Sequence, residues 1–168
     1  MHKYCLDTSG ISNPVMDLPE TIYVSLWDKV VELIHAHVFC WNYEIGEELQ
    51  SIYGVAGEAL KSCNGECCFE VGVGDWDWDG YLKTVEAWRN TYRDYISEYN
   101  GGRKNTISLN DMSIVAFAKT LERPVVSMEK RNLGPPSLSR MRIPDLCDAE
   151  SVGHLTFNEF LAAEGVTA

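Results

Sequence analysis

The chain of 168 residues is 45% hydrophobic and 11% aromatic and carries a formal net charge of -11. That length and apolar content are enough for one continuous core and exclude a division into two domains. No apolar run reaches the roughly 18 residues that span a bilayer, so the chain reads as a cytoplasmic protein with no membrane segment and no secretory signal. A core of this size needs no disulfide staples, and the 6 cysteines read as reduced thiols.

The acidity argues against broad affinity for nucleic acid, because phosphate contacts need clustered Lys and Arg. The charges are unevenly distributed, however. Residues 1 to 100 hold 17 acidic and 6 basic side chains, whereas residues 101 to 143 hold 3 acidic and 8 basic ones. The basic stretch offers one positive face on an acidic body.

In chain order, Lys3-Tyr4-Cys5-Leu6 reads as a buried strand that ends in the polar turn Asp7-Thr8-Ser9-Gly10. Tyr23, Trp27, Val30, Val31 and Ile34 recur at helical spacing within an amphipathic helix over about 19–36. His37 to Trp41 is β-rich, and Asn42 can cap a helix carrying Glu44, Glu47 and Glu48 in its first turns. From Gly54 to Gly80 the signal weakens, and the segment reads as an insertion in a single domain of residues 1–168. Helical spacing returns from Tyr81 to Tyr99, and Asn100-Gly101-Gly102 stops it. Asn110 can cap a helix opening at Asp111 that is apolar nearly all round, and Pro124 to Ser127 reads as the next strand, ending at Glu129. A loop follows around Gly134-Pro135-Pro136, and a short helix from Phe157 to Gly165 closes the chain. Strands alternating with helices predict an α/β fold: a three-layer α/β/α arrangement around a central, mainly parallel sheet.

In such a sheet ligands bind beyond the strands' C-terminal ends. Asp7 and Glu129 follow strands, and Asp111 and Glu48 lie on helices entering from that edge. Four converging carboxylates repel one another unless a hard divalent cation neutralises them. Spacing alone does not choose between Glu48 and Glu44, which share a helix face.

The opening Tyr4-Cys5-Leu6-Asp7-Thr8-Ser9, the pair Glu48-Leu49, the helix start Asp111-Met112-Ser113-Ile114-Val115-Ala116 and the strand end Val125-Val126-Ser127-Met128-Glu129 together resemble the four acidic motifs of PIN-like domains. Asp is commoner than Glu at the fourth position. Ile143-Pro144-Asp145-Leu146-Cys147 and the closing helix resemble the end of a PIN-like branch of small bacterial and archaeal proteins. The resemblance favours Glu48 over Glu44. It implies a Mg²⁺- or Mn²⁺-dependent ribonuclease with one or two ions held by Asp7, Glu48, Asp111 and Glu129. Thr8, Ser9 and Ser127 would orient a carboxylate or water, and Lys130, Arg131, Arg140 and Arg142 would hold backbone phosphates. The partners implied are an RNA substrate, an antitoxin protein encoded by an adjacent gene, as for a type II toxin, and a second copy of the chain. A catalytically silent PIN-like module that binds RNA or a protein is the alternative.

Two other signals compete. Asp75-Trp76-Asp77-Trp78-Asp79-Gly80 with Glu86 fits the calcium-loop pattern of the EF-hand, although no helix precedes it and Lys83 stands where a ligand is usual. Cys63, Cys67 and Cys68 cluster, with Cys147 or a histidine needed to complete a zinc site, but the spacing fits no standard knuckle.

Overall fold

Tyr4, Cys5 and Leu6 are all buried, the pattern of a strand covered on both faces. The computed structural model describes residues 1–131 and 140–166, and the loop expected around Gly134 lies outside the described residues. Within them β1 (Tyr4–Leu6), β2 (Phe39–Asn42), β3 (Cys68–Phe69), β4 (Val125–Val126) and β5 (His154–Leu155) form one sheet in the order β3-β2-β1-β4-β5. Every pairing is parallel, with Cys5 opposite both Cys40 and Val125 and Leu6 opposite Val126. The helices are α1 (Ser9–Asp17), α2 (Val24–His35), α3 (Tyr43–Leu49), α4 (Gly54–Ser62), α5 (Asn64–Cys67), α6 (Trp78–Thr91), α7 (Leu109–Leu121), α8 (Ile143–Ala149) and α9 (Phe157–Ala163).

The expected three-layer α/β/α architecture is observed. On one face α7 packs against β1, β2 and β4. Its residues from Met112 to Ala118 are all buried, which explains why it is apolar nearly all round. On the other face Phe160 of α9 meets the rings of Tyr4 and Phe39, and Trp27 of α2 stacks on Phe157. Each such fully buried side chain contributes about 1.5–3 kcal/mol of hydrophobic stabilisation. No helix among the described residues is long and apolar enough to cross a membrane.

Several local expectations need correction. The segment 54–80 is structured: α4 packs against α2, and β3 joins the edge of the sheet beside β2. Periodicity missed it because the buried face of α4 is Ala56, Gly57, Ala59 and Leu60, with only one large apolar side chain, and β3 has only two residues. Tyr81 to Tyr99 is not one helix. α6 begins at Trp78 and ends at Thr91, and short 3-10 turns at Arg93–Tyr95 and Ser97–Tyr99 flank an extended Ile96 that bridges to Ile107. The 3-10 turns repeat every three residues, so the apolar spacing survives where the α-helix does not. The turn after β1 runs directly into α1, and β5 is a further strand, too short to carry a period of its own.

Candidate functional site

The chain leaves β1 toward β2 and β3 on one side and returns to β4 and β5 on the other, so the strand order reverses between β1 and β4. A parallel sheet opens a crevice at that switch point, beyond the strands' C-terminal ends. Asp7 emerges there from β1, its backbone N–H donating to the Val126 carbonyl of β4 at 3.0 Å. Gly10 lets the two strand ends approach: a Cβ at this position would stand 2.7 Å from the Val126 carbonyl oxygen.

Asp7 is 3% exposed. Its Oδ2 accepts from the Ser9 backbone N–H at 3.0 Å and the Ser9 hydroxyl at 2.5 Å. Burial is the largest influence on this carboxyl and pushes its pKa up, the Asp111 charge adds to it, the Ser9 hydrogen bonds oppose, and Glu129 adds further, leaving the pKa at about 7. Asp111 is pushed up to about 6, first by burial and then by Glu129, with Ser108 opposing and Glu48 adding. The four predicted acids therefore share one electrostatic field.

Each acid also has a local anchor. Asp111 is the third residue of α7 in a capping box: its backbone N–H donates to Ser108 Oγ at 3.0 Å, and its Oδ2 accepts from the Ser108 backbone N–H at 3.4 Å. The cap is thus Ser108, not Asn110. Asn110 instead donates through Nδ2 to Glu48 Oε1 at 2.7 Å. The Thr8 hydroxyl, in the N-cap position of α1 where it would ordinarily serve that helix, donates to Glu48 Oε2 at 2.6 Å. Glu48 sits in the last turn of α3 rather than its first. Glu48 thus lies in the field of Asp111, whereas Glu44 accepts from Asn42 Nδ2 at 3.1 Å. Glu129 accepts at Oε2 from the Ile143 backbone N–H of α8 at 2.8 Å.

A family model matches residues 4–168 of the sequence, a span that includes 54–80. The chain belongs to the family described as Domain of unknown function (DUF4411). No curated protein and no solved structure matches it.

In this DUF4411 chain the supporting residues divide. Ser9 joins the two strand ends, since its hydroxyl also accepts from the Met128 N–H at 3.0 Å. Ser127 is fully buried; its hydroxyl pairs with His154 Nε2 at 2.8 Å, bracing β4 against β5, and also accepts from the Glu129 backbone N–H at 3.4 Å. A cleft of about 490 Å³ opens beside Glu129, lined by Ser9, Asn13, Asn105, Lys130, Arg131 and Arg142. Arg142 Nη2 donates to Asn105 Oδ1 at 2.6 Å, and Arg131 forms a two-point ion pair with Asp148 at 2.9 and 3.2 Å. Lys130 and Arg140 are exposed. Sequence reasoning missed Asn110 as the Glu48 anchor, and Ser108 as the cap. Ser at 108, three residues before Asp111, is a capping-box signature that the sequence does carry.

All-oxygen donors of this kind suit a hard divalent cation. The spacing is open, however: among the described residues no three His, Cys, Asp or Glu side chains stand close enough to hold an ion jointly.

The calcium-loop pattern is used otherwise. Asp77 caps α6 by accepting from the Gly80 N–H at 2.9 Å, Asp79 pairs with Lys83, and Glu86 lies within α6. Trp76 packs with Phe69, Tyr81 and Phe117. An EF-hand presents its first ligand positions from an irregular loop, whereas here α6 has started by Trp78, between Asp77 and Asp79. The 6 cysteines are free thiols.

Proposed function

We propose that the carboxylate crevice is the active site of a divalent-metal-dependent nuclease that hydrolyses phosphodiester bonds in RNA. The observation that carries this reading is the buried Asp7 carboxyl, held at about pKa 7 in the field of Asp111 and Glu129 at the sheet's switch point. A fold tolerates such uncompensated repulsion where function requires it. Asp7, Asp111 and Glu129 would supply the oxygen ligands of Mg²⁺ or Mn²⁺ by closing on the ion from their open spacing, with Glu48 kept in reach by Thr8 and Asn110. The ion supplies activation of water and neutralisation of charge at phosphorus. Ser9 orients the Asp7 carboxylate, and Lys130 and Arg142 at the neighbouring cleft bind backbone phosphates.

The test is cleavage of labelled RNA and DNA oligonucleotides with Mg²⁺ or Mn²⁺. Asp7→Asn and Asp111→Asn, each shown to be folded, should abolish RNA cleavage; variants that cleave as fast as the parent overturn the proposal. A second reading, a catalytically silent module, has its own support in the Glu129 bond to α8 and the open spacing of the acids. Calorimetric titration with Mn²⁺ separates the two. A nuclease binds the ion at the crevice, and Asp7→Asn removes that binding.

A further inference from the structure

Three consecutive backbone amides are tied down where the chain enters α8. The Met141 N–H donates to the Asn105 carbonyl at 2.9 Å, the Arg142 N–H to Asp145 Oδ2 at 2.9 Å, and the Ile143 N–H to Glu129 Oε2 at 2.8 Å. The base of the Arg142 side chain is therefore fixed. Its tip is fixed as well, because Nη2 donates to Asn105 Oδ1 at 2.6 Å. A guanidinium carries only donors, so the Asn105 amide must present its oxygen to it. Both residues line the cleft of about 490 Å³, and that cleft shares Ser9 and Glu129 with the carboxylate crevice.

Asn105 itself stands in the left-handed region, at φ 62°. Glycine adopts that backbone freely, and other residues do so at a cost that Asn meets more readily than most. What glycine would lack at this position is the acceptor for Arg142. The kind of acceptor also matters. Arg131, on the same cleft, is bound at two points by the Asp148 carboxylate, which neutralises it. Arg142 is held by a neutral amide, and among the described residues no carboxylate stands within ion-pair distance of it. An amide orients a guanidinium without cancelling its charge. Lys130 lines the cleft too, but it is exposed and carries its charge on a flexible stem. In a chain of net charge -11, a fixed and uncancelled cation beside a group of acids suits an anionic oxygen.

We propose that Asn105 is a positioning residue that aims the Arg142 guanidinium into the cleft, where it takes the RNA phosphate next to the one attacked at the crevice. The identity of the strand rests on the nuclease reading, whereas the contact between Arg142 and phosphate is measured without cleavage. With Nη2 engaged by Asn105, the other N–H groups of the fork are left for phosphate oxygens. Without Asn105 Oδ1 the guanidinium samples other rotamers, and the phosphate contact then bears the cost of ordering a long side chain.

The test is a double-mutant cycle on RNA binding, read by fluorescence anisotropy of a short labelled oligonucleotide in EDTA. Every protein carries Asp7→Asn/Asp111→Asn, so that the strand stays intact. Arg142→Ala should weaken binding about tenfold and lower the slope of log affinity against log salt concentration by about one. Asn105→Gly keeps the left-handed backbone and the net charge and removes only the acceptor. It should weaken binding about fivefold when Arg142 is present and less than about twofold when Arg142→Ala is combined with it. A loop that needed Asn105 only for its shape would give the same effect in both backgrounds. Absence of saturable RNA binding, an unchanged salt slope in Arg142→Ala, or equal effects of Asn105→Gly in the two backgrounds each overturns the proposal. Coupling that persists in a protein whose parent leaves RNA uncut with Mg²⁺ or Mn²⁺ would keep the Asn105 assignment and overturn the nuclease reading alone.

Discussion

Replacing Asp7 by Asn tests the electrostatics of the crevice most directly. In the unfolded chain the carboxyl ionises near the ordinary 3.8, and in the folded protein at about 7. Between those values the folded state keeps a proton that the unfolded state has lost, so stability falls as pH rises, and the full penalty is present above about 7. At about 1.4 kcal/mol per pH unit, the penalty is about 4 kcal/mol. Asp111, pushed up to about 6, acts with the same sign, and because each acid raises the other the two effects are not additive. An Asn side chain keeps an acceptor for the Ser9 N–H and hydroxyl while removing the charge. The Asp7→Asn variant should therefore be several kcal/mol more stable than the parent at pH 8 and indistinguishable from it near pH 3.5. Urea unfolding at a series of pH values measures this. A difference that is the same at both ends, or a variant less stable at pH 8, would refute the claim that Asp7 is held against repulsion and burial.

Three further predictions concern the scaffold. Ser108→Ala removes the acceptor for the Asp111 N–H and should cost about 1 kcal/mol in denaturant unfolding, with no change in slope. Gly10→Ala pushes a methyl group against the Val126 carbonyl oxygen, 2.7 Å away in backbone that cannot easily yield, and should cost about 1–3 kcal/mol; a neutral result would mean that β1 and β4 separate freely. Phe117→Ala empties the centre of the Phe69, Trp76 and Tyr81 cluster and should cost about 3–5 kcal/mol, read as a lowered thermal midpoint.

The elements legible in the sequence were those whose burial pattern repeats often enough to be seen: the amphipathic α2, the all-apolar α7 and the strand before Asp7. The elements that escaped were too short or too bland. β5 has two residues, α4 buries Leu60 as its only large apolar side chain, and α1 follows so closely on Asp7 that its polar start reads as a turn. The site divides in the same way. Asp7 and Asp111 stand where a strand or helix ends, which local pattern reveals, whereas the anchors of Glu48 come from residues 40 and 62 positions away.

The sequence by itself therefore determined the α/β class, the edge on which Asp7 and Glu129 emerge, and the presence of a basic stretch beside them, because period, apolar runs and charge are local properties of the chain. Only the tertiary structure decided that Glu48 rather than Glu44 faces Asp111, that Ser127 pairs with His154, that Arg131 is paired with Asp148, and that the acids stand in one field without closing on a common point. Those outcomes depend on which distant donor reaches a carboxylate first and on how far like charges separate inside a packed fold. Neither is encoded in the spacing of the residues along the chain.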